Sequence, residues 1–511
     1  MPSRLLSVVL LSLAITACSS DRVNNAPASE TRTAPANESA PETQGEVNGT
    51  AVDRIAKAAE GPSPLEANLT YLTTNIGGRI SGSANMRKAV AWAQDVFRQS
   101  GVDDVHVERL QVPAAWTPGN ASLTLLGASA FPVRLVSMAW APPANLEGRI
   151  IDLHAGADTD FARAGAAVRG ALLLVHTDVL KSPMEEYVGR PAVIERAVKA
   201  GAAAILWMST REGSLLYRRD DSLTGVIDPI PAAILAREDT TRIAALLERG
   251  TPIRARLSLP NIVGGPIDDE NVVAEIRGRE KPDEVVVLGA HLDSWDLGTG
   301  ALDDGVGVTA VMEAARLIHE SGVRPRRTIR FVLFSGEEQG FFGSLAYVRT
   351  HAAELDRTVA AIVIDRFAGR TLGFDVEGRP ELKAAVSDTL APLTGWDATQ
   401  LWFDPQVETD NFDFLLEGVP TLVAHQDQSA DIVNYHASTD RLDRVDIATT
   451  RHTAAICAVA AYGIAERPEP LGKRLSRGEL DDFMRANPDF VGAIKEGGIW
   501  EQWEKGQRGR H

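Results

Sequence analysis

The residue types best suited to chemistry are gathered between positions 288 and 343. That stretch reads LGAHLDSWDLGTGALDDGVG and, after a helical pattern, TIRFVLFSGEEQGFFG. Two apolar, strand-like runs each deliver a polar cluster at their C-terminal ends. Residues 285–288 lead into His291 and Asp293, and residues 329–334 lead into Glu337 and Glu338. Between them a glycine-rich segment presents Asp303 and Asp304. In open α/β sheets, ligands collect where strands finish at the carboxyl edge, so an imidazole and several carboxylates would meet on one rim. Imidazole nitrogen and carboxylate oxygen are donors that zinc accepts, and the pattern points to a zinc hydrolase.

Each piece has an ordinary reading when taken alone. His291-x-Asp293 fits a metal-holding imidazole with an aspartate orienting its ring, but Asp293 also fits a loop cap. Asp303 suits a carboxylate shared between two metals, and Asp304 suits the cap of a helix over 306–320. An adjacent Glu337-Glu338 pair is usually a solvated surface feature. At the end of a buried strand it divides naturally into one metal-binding carboxylate and one proton acceptor. Asp365 closes the apolar run AAIVID, as a ligand or as a salt-bridged loop residue, and His436 lies in the loop-like NYHASTD. Taken together, two imidazoles, two terminal carboxylates and one shared carboxylate satisfy two zinc ions roughly 3.5–4 Å apart.

The rest of the chain must position these groups. With 511 residues, two or three domains are expected. A formal charge of −17 disfavours a nucleic-acid partner, whose phosphates call for lysine and arginine. Two cysteines, Cys18 and Cys457, give no disulfide framework, and Cys457 in AAICAVAA reads as a small buried hydrophobe. Residues 1–18 read as a signal peptide ending Ile15-Thr16-Ala17-Cys18, which resembles a bacterial lipoprotein cleavage box. Lipid on Cys18 would be the sole link to a membrane. Ser19 and Ser20 in place of an acidic residue favour the outer membrane, facing the periplasm or the cell surface. Residues 19–52, rich in Ala, Pro, Asn, Glu, Ser and Thr, read as a flexible tether.

Strand and helix patterns begin at 53. From 119 to 262 short β-like runs alternate with Ala-rich helical stretches. That region offers no paired catalytic carboxylates or close His–acid cluster, and His154 and His176 look isolated. From 263 to 466 strands alternate with helices, implying an α/β fold whose mostly parallel central sheet is sandwiched by helices. The host domain would comprise 53–118 and 263–466, with 119–262 as an inserted small α/β domain. Residues 467–511 carry helical stretches and late aromatics without nameable chemistry.

HLDSWDLGTGALDDGVG, SGEEQGFFGS, VID and YHASTD resemble, in order and spacing, the two-zinc exopeptidases of the bacterial aminopeptidase and glutamate carboxypeptidase kind. Within that family the likeness is to the carboxypeptidase Q branch, through HLDSWD, GALDDG and RPRRTIRFVLFSGEEQG. The order of elements in 119–262 resembles a protease-associated domain. The resemblance implies zinc ligands His291, Asp303, Glu338, Asp365 and His436, with Glu337 as general base and Asp293 behind His291. It also implies a cis peptide between Asp303 and Asp304, and hydrolysis of terminal peptide bonds in short peptides or dipeptides. In one respect the sequence departs from the carboxypeptidase Q pattern: Tyr435 stands where a histidine is expected. Several aminopeptidases of the family have tyrosine there as an oxyanion donor, and this leaves aminopeptidase and carboxypeptidase both open. Asp410 and Arg366 are candidates to meet a substrate terminus or to form structural ion pairs. A homodimer is also left open. The rival readings are a zinc-free, receptor-like binding protein and a one-zinc glutaminyl cyclase on the same scaffold.

Overall fold

The computed structural model describes residues 50–511, apart from 128–129, 177–188, 221, 366–367, 408 and 428–431. Cys18, the cleavage box, almost all of the tether and Arg366 therefore lie outside the described residues. Helix begins two residues earlier than the sequence suggested. Thr50 and Asp53 form a capping box that starts the helix Ala51–Ala59.

In chain order the strands are β1 (Asp104–Val112), β2 (Ala115–Thr117), β3 (Ser122–Leu126), β4 (Pro132–Val133), β5 (Leu135–Ser137) and β6 (Ala144–Asp152). There follow β7 (Leu172–Val175), β8 (Ala204–Met208), β9 (Ala232–Leu235), β10 (Arg254–Leu259), β11 (Ile262–Gly264) and β12 (Ile267–Ile276). The last six are β13 (Lys281–His291), β14 (Arg327–Phe334), β15 (Thr358–Val363), β16 (Thr371–Asp375), β17 (Gln400–Trp402) and β18 (Thr421–Gln426).

The first sheet has eight strands in the order β1-β12-β14-β13-β15-β18-β16-β17. Its centre, β14-β13-β15-β18, is parallel. Its flanks are antiparallel where β12 meets β1 and β14, and where β16 meets β18. The sheet is thus mixed, with parallel pairing concentrated where the polar clusters end. Residues 285–291 are buried without interruption, as a strand covered on both faces requires. Alternate side chains go to opposite cores. Val286, Leu288 and Ala290 pack with the helices Ala84–Gln99, Val306–Glu320 and Ile447–Glu466. Val285 and Val287 pack on the other face with Tyr347, Val348 and Phe414. Cys457 is fully buried in the first of these cores. Truncating Leu288 to alanine in such a setting costs about 2–5 kcal/mol.

The second sheet, β4-β3-β10-β6-β7-β8-β9-β5, is built wholly from residues 122–259. Its β6-β7-β8-β9 centre is parallel, and it has its own apolar cores on the two faces. The two-stranded β2–β11 ladder, with Thr117 opposite Ile262, brackets it in the chain. The C-terminal helices Arg477–Ala486, Pro488–Glu496 and Trp500–Glu504 pack on Phe341, Phe412, Leu415 and Leu416. Among the described residues no helix is long and apolar enough to cross a membrane.

Candidate metal centre

β13 ends on His291, and the turn after β14 carries Glu337 and Glu338. Asp365 follows β15, and His436 lies on the loop beyond β18. Parallel pairing of β14, β13, β15 and β18 brings their carboxyl ends to one edge, and with them these side chains. The Ala301–Gly305 turn leads into helix Val306–Glu320 and supplies Asp303 and Asp304, joined by a cis peptide bond.

Two donor groups result. His291, Asp303 and Asp365 form one, and Asp303, Glu338 and His436 the other. His291 Nε2 lies 3.0 Å from Asp303 Oδ1 and 3.4 Å from Asp365 Oδ1. His436 Nε2 lies 3.2 Å from Asp303 Oδ2 and 2.8 Å from Glu338 Oε2. Asp303 thus turns one oxygen to each group.

The electrostatics show an excess of buried negative charge. Burial raises the Glu337 carboxyl well above its ordinary range, with Asp365, Glu338 and Asp410 adding to it. Glu338 is pushed up to about 7, mainly by burial and then by Asp303. Burial opposes protonation of His436, yet Glu338 and Asp303 outweigh it and lift its pKa to about 9. Carboxylates crowded out of water are costly unless a cation offsets them. Two nitrogen-and-oxygen donor groups with one shared carboxylate, carrying that excess, fit divalent metal ions.

The Asp293 carboxylate lies behind His291, as its spacing suggested, but makes its shorter contacts elsewhere. The Nδ1 of His291 is 3.0 Å from the Asp293 backbone carbonyl and 3.7 Å from its carboxylate. The carboxylate instead accepts from the backbone N–H groups of Gly336 (2.9 Å) and Glu337 (3.2 Å). It orients the turn that carries Glu337, while the main chain orients the imidazole. Asp304 accepts from Gly307 N–H (2.9 Å) in the first turn of its helix and from His291 N–H (3.2 Å). It is a cap that also ties the helix to β13.

Tyr435 stacks on His436, ring centroids 3.7 Å apart. Burial, with Asp303 and Glu338 nearby, holds its phenol well above its ordinary pKa. Asp410 is fully buried, and burial raises its carboxyl well above the ordinary range against the opposing hydroxyl of Ser344. Its charge bears on His291, Asp365 and Glu337. His436 itself sits at φ +58°, a conformation costing about 1–3 kcal/mol that its surroundings must hold.

Several supporting residues escaped the sequence reading. Arg79, fully buried, donates to the carbonyls of Leu292, Thr299 (3.2 Å) and Gly300 (3.1 Å). Asp440 accepts from the backbone N–H groups of Ala301 (2.8 Å), Leu302 (2.6 Å) and Asp303 (3.4 Å). Together they fix the Asp303 turn from both sides. Asp440 ends the YHASTD motif, so the motif itself was the signal for it. For Arg79 there was only its place in NIGGRISGS. The segment 211–220, from the stretch bearing the second sheet, holds the His436 loop. Arg218 N–H donates to His436 O (2.9 Å), Arg211 reaches Tyr435 O (3.4 Å), and Tyr217 bridges to Ala437. Arg218 also forms a two-pronged pair with Asp296 at 2.8 and 3.0 Å.

His154 and His176 are not isolated, contrary to the sequence reading. Parallel pairing of β6 with β7 sets Asp152 opposite Leu174, so the residues just beyond both strands meet. His176 Nε2 lies 2.9 Å from Asp152 Oδ1, and the His154 ring is 5.4 Å from that of His176. This group lies on the second sheet, away from the five donors above.

Comparison with known proteins agrees with this arrangement. The model of peptidase family M28 matches residues 271–461. The chain is 29% identical to carboxypeptidase Q of Rattus norvegicus over 411 residues, covering 79% of this chain and 85% of that one. A crystal structure of a peptidase M28 precursor from Shewanella amazonensis aligns with a TM-score of 0.74 at 27% identity, covering 83% of this chain and 98% of that one. The fold is also that of a zinc aminopeptidase from Bacillus subtilis, with a TM-score of 0.63 at 21% identity, covering 79% and 94%. The strand-end motifs and the sheet agree with the match of residues 271–461 to peptidase family M28, the family to which these likenesses point.

Proposed function

We propose that this metallo-exopeptidase cleaves terminal peptide bonds of short peptides or dipeptides with two zinc ions per chain. The observation that carries the reading is the pair of donor groups sharing Asp303, one oxygen to each, with Glu337 in neither. His291, Asp303 and Asp365 would hold one ion, and Asp303, Glu338 and His436 the other. Zinc, when bound, supplies Lewis acidity to a carbonyl and acidifies a water. Glu337 accepts the proton of the attacking water and hands it to the leaving amine. Asp293 keeps the Glu337 turn in place through two backbone hydrogen bonds. Tyr435, against His436, donates to the developing oxyanion.

Glu337→Gln should keep its zinc by elemental analysis while kcat falls by about 10²–10⁴-fold; activity within tenfold of the parent would sink the assignment. Turnover of free, N-blocked and C-blocked dipeptides, with zinc removed and restored, separates aminopeptidase, carboxypeptidase and dipeptidase action. The same reading takes 119–262 as a protease-associated insert and the enzyme as exported and lipid-anchored through Cys18. Loss of Cys18→Ala protein from the membrane fraction tests the anchor.

A further inference from the structure

We propose that Arg508, in the C-terminal extension, is a positioning residue for Glu337; this rests on the reading of Glu337 as the base. The turn after β14 is tight. Glu337 O accepts from the N–H groups of Gly340 (2.9 Å) and Phe341 (3.1 Å). Gly340 has φ +127° and Phe341, a buried non-glycine residue, has φ +61°. A β-carbon on Gly340 would lie 2.3 Å from the carbonyl oxygen of Leu223. Such a backbone is not a local preference and persists only where its surroundings over-determine it.

The turn is gripped at both ends. Upstream, Asp293 accepts from Gly336 and Glu337 N–H. Downstream, Arg508 Nη2 donates to Gly340 O at 3.2 Å, and its guanidinium lies 5.9 Å from the Phe341 ring centroid. The same guanidinium is fixed by Asp413, Nε to Oδ1 at 2.7 Å and Nη2 to Oδ2 at 2.8 Å, with both side chains 1% exposed. Ser344, in the helix following the turn, donates to the same Asp413 oxygen at 3.0 Å. A planar fork can serve Asp413 and Gly340 together, whereas an ammonium is a single point charge. The segment beyond the last helix therefore sets where the Glu337 carboxylate points.

Arg508→Lys tests this in the full-length enzyme. Expected are parental zinc content, a KM within about threefold, and a kcat lower by about 10–100-fold, as a misplaced reacting group costs. Trp503→Leu, in the helix Trp500–Glu504 that precedes Arg508, serves as the stability control. It should lower the melting temperature at least as much as Arg508→Lys while leaving kcat per zinc-loaded folded molecule unchanged. The proposal is overturned if kcat per zinc-loaded Arg508→Lys molecule equals the parent's, or if Trp503→Leu lowers it equally. Should Arg508→Lys not fold, Asp413→Asn decides. A kcat at least fivefold lower at unchanged KM and zinc content supports the proposal, and an unchanged kcat overturns it. An inactive Glu337→Gln beside a fully active Arg508→Lys removes only this inference. An active Glu337→Gln removes the reading beneath it.

Discussion

Both sheets of this molecule end parallel strands in histidine and aspartate, yet the two rims are electrostatically opposite. On the second sheet Asp152 closes β6, and its Oδ1 meets His154 N–H (2.8 Å) and His176 Nε2 (2.9 Å). Burial works against the ionised form, but those partners hold its pKa below the ordinary value. The His154 side chain is 56% exposed. On the first sheet the His291 side chain is 1% exposed, with Asp303 and Asp365 both within 3.4 Å of its Nε2. Glu337, Asp304 and Asp410 are all driven well above their ordinary values by burial, with neighbouring carboxylates adding to it. Topology delivers polar groups to a strand edge in both places. What distinguishes a working centre is charge left uncompensated out of water, because folding alone would not retain it.

Experiments can attack that contrast in descending order of effect. His436→Ala removes a donor from the first rim. Elemental analysis should show one zinc fewer per chain, and turnover should fall by about 10³-fold or more, the scale of lost metal-assisted stabilisation. Two retained zincs would mean the donor groups are wrongly drawn. Asp440→Asn leaves every donor in place but weakens the clamp on the Asp303 turn. Chelator competition should register zinc affinity lower by about 10–100-fold, as for outer-shell partners of metal ligands. His176→Ala strikes the self-satisfied rim. Zinc content and kcat should stay within about twofold, and a lost zinc or a tenfold slower enzyme would erase the contrast.

The smallest effect belongs to a half-exposed pair at the edge of the first sheet. Glu108, despite the opposition of burial, lifts His106 to about 9 through a side-chain hydrogen bond, with Asp104 adding to it. Hydrogen bonds from His106 and His351 outweigh burial and bring Glu108 to about 2. The raised histidine stabilises fully below its ordinary 6.5 and loses that contribution as pH climbs through about 9. The lowered glutamate stabilises above its ordinary 4.5 and loses that as pH falls through about 2. The melting-temperature gap between parent and His106→Gln should therefore be widest near pH 5–6 and close above pH 9. Solvent screening keeps it to at most about 1 kcal/mol.

Much of the first rim was legible because its signals are local. An apolar run of residues ending in His or Glu announces a buried strand and the polar group it delivers, as at His291, Glu337 and Glu338. Asp365 and His436 could be recognised by type and by the motifs around them. Asp293 was legible as a partner but not as to whose. One side-chain torsion separates gripping an imidazole from gripping the neighbouring turn, and sequence does not encode that choice. The His154–His176 pairing depended on the register of β6 with β7. The antiparallel flank of the first sheet depended on β1 finding β12 across the whole second-sheet stretch. Arg508 meets Asp413 across 95 residues, and no periodicity reports such a meeting.

The small β2–β11 ladder has a consequence for how such a chain is assembled. Thr117 faces Ile262 there, and Val112 faces Ile267 at the end of β1 and β12. Everything between leaves and re-enters at one doorway. Loop-closure entropy grows only logarithmically, about 0.6 kcal/mol per doubling, so closing this long excursion costs roughly 3 kcal/mol more than closing a four-residue hairpin. The stretch between also serves the site, since Arg218 and Tyr217 brace the loop bearing His436. Shortening that excursion would therefore take from the His436 loop the contacts that hold its backbone.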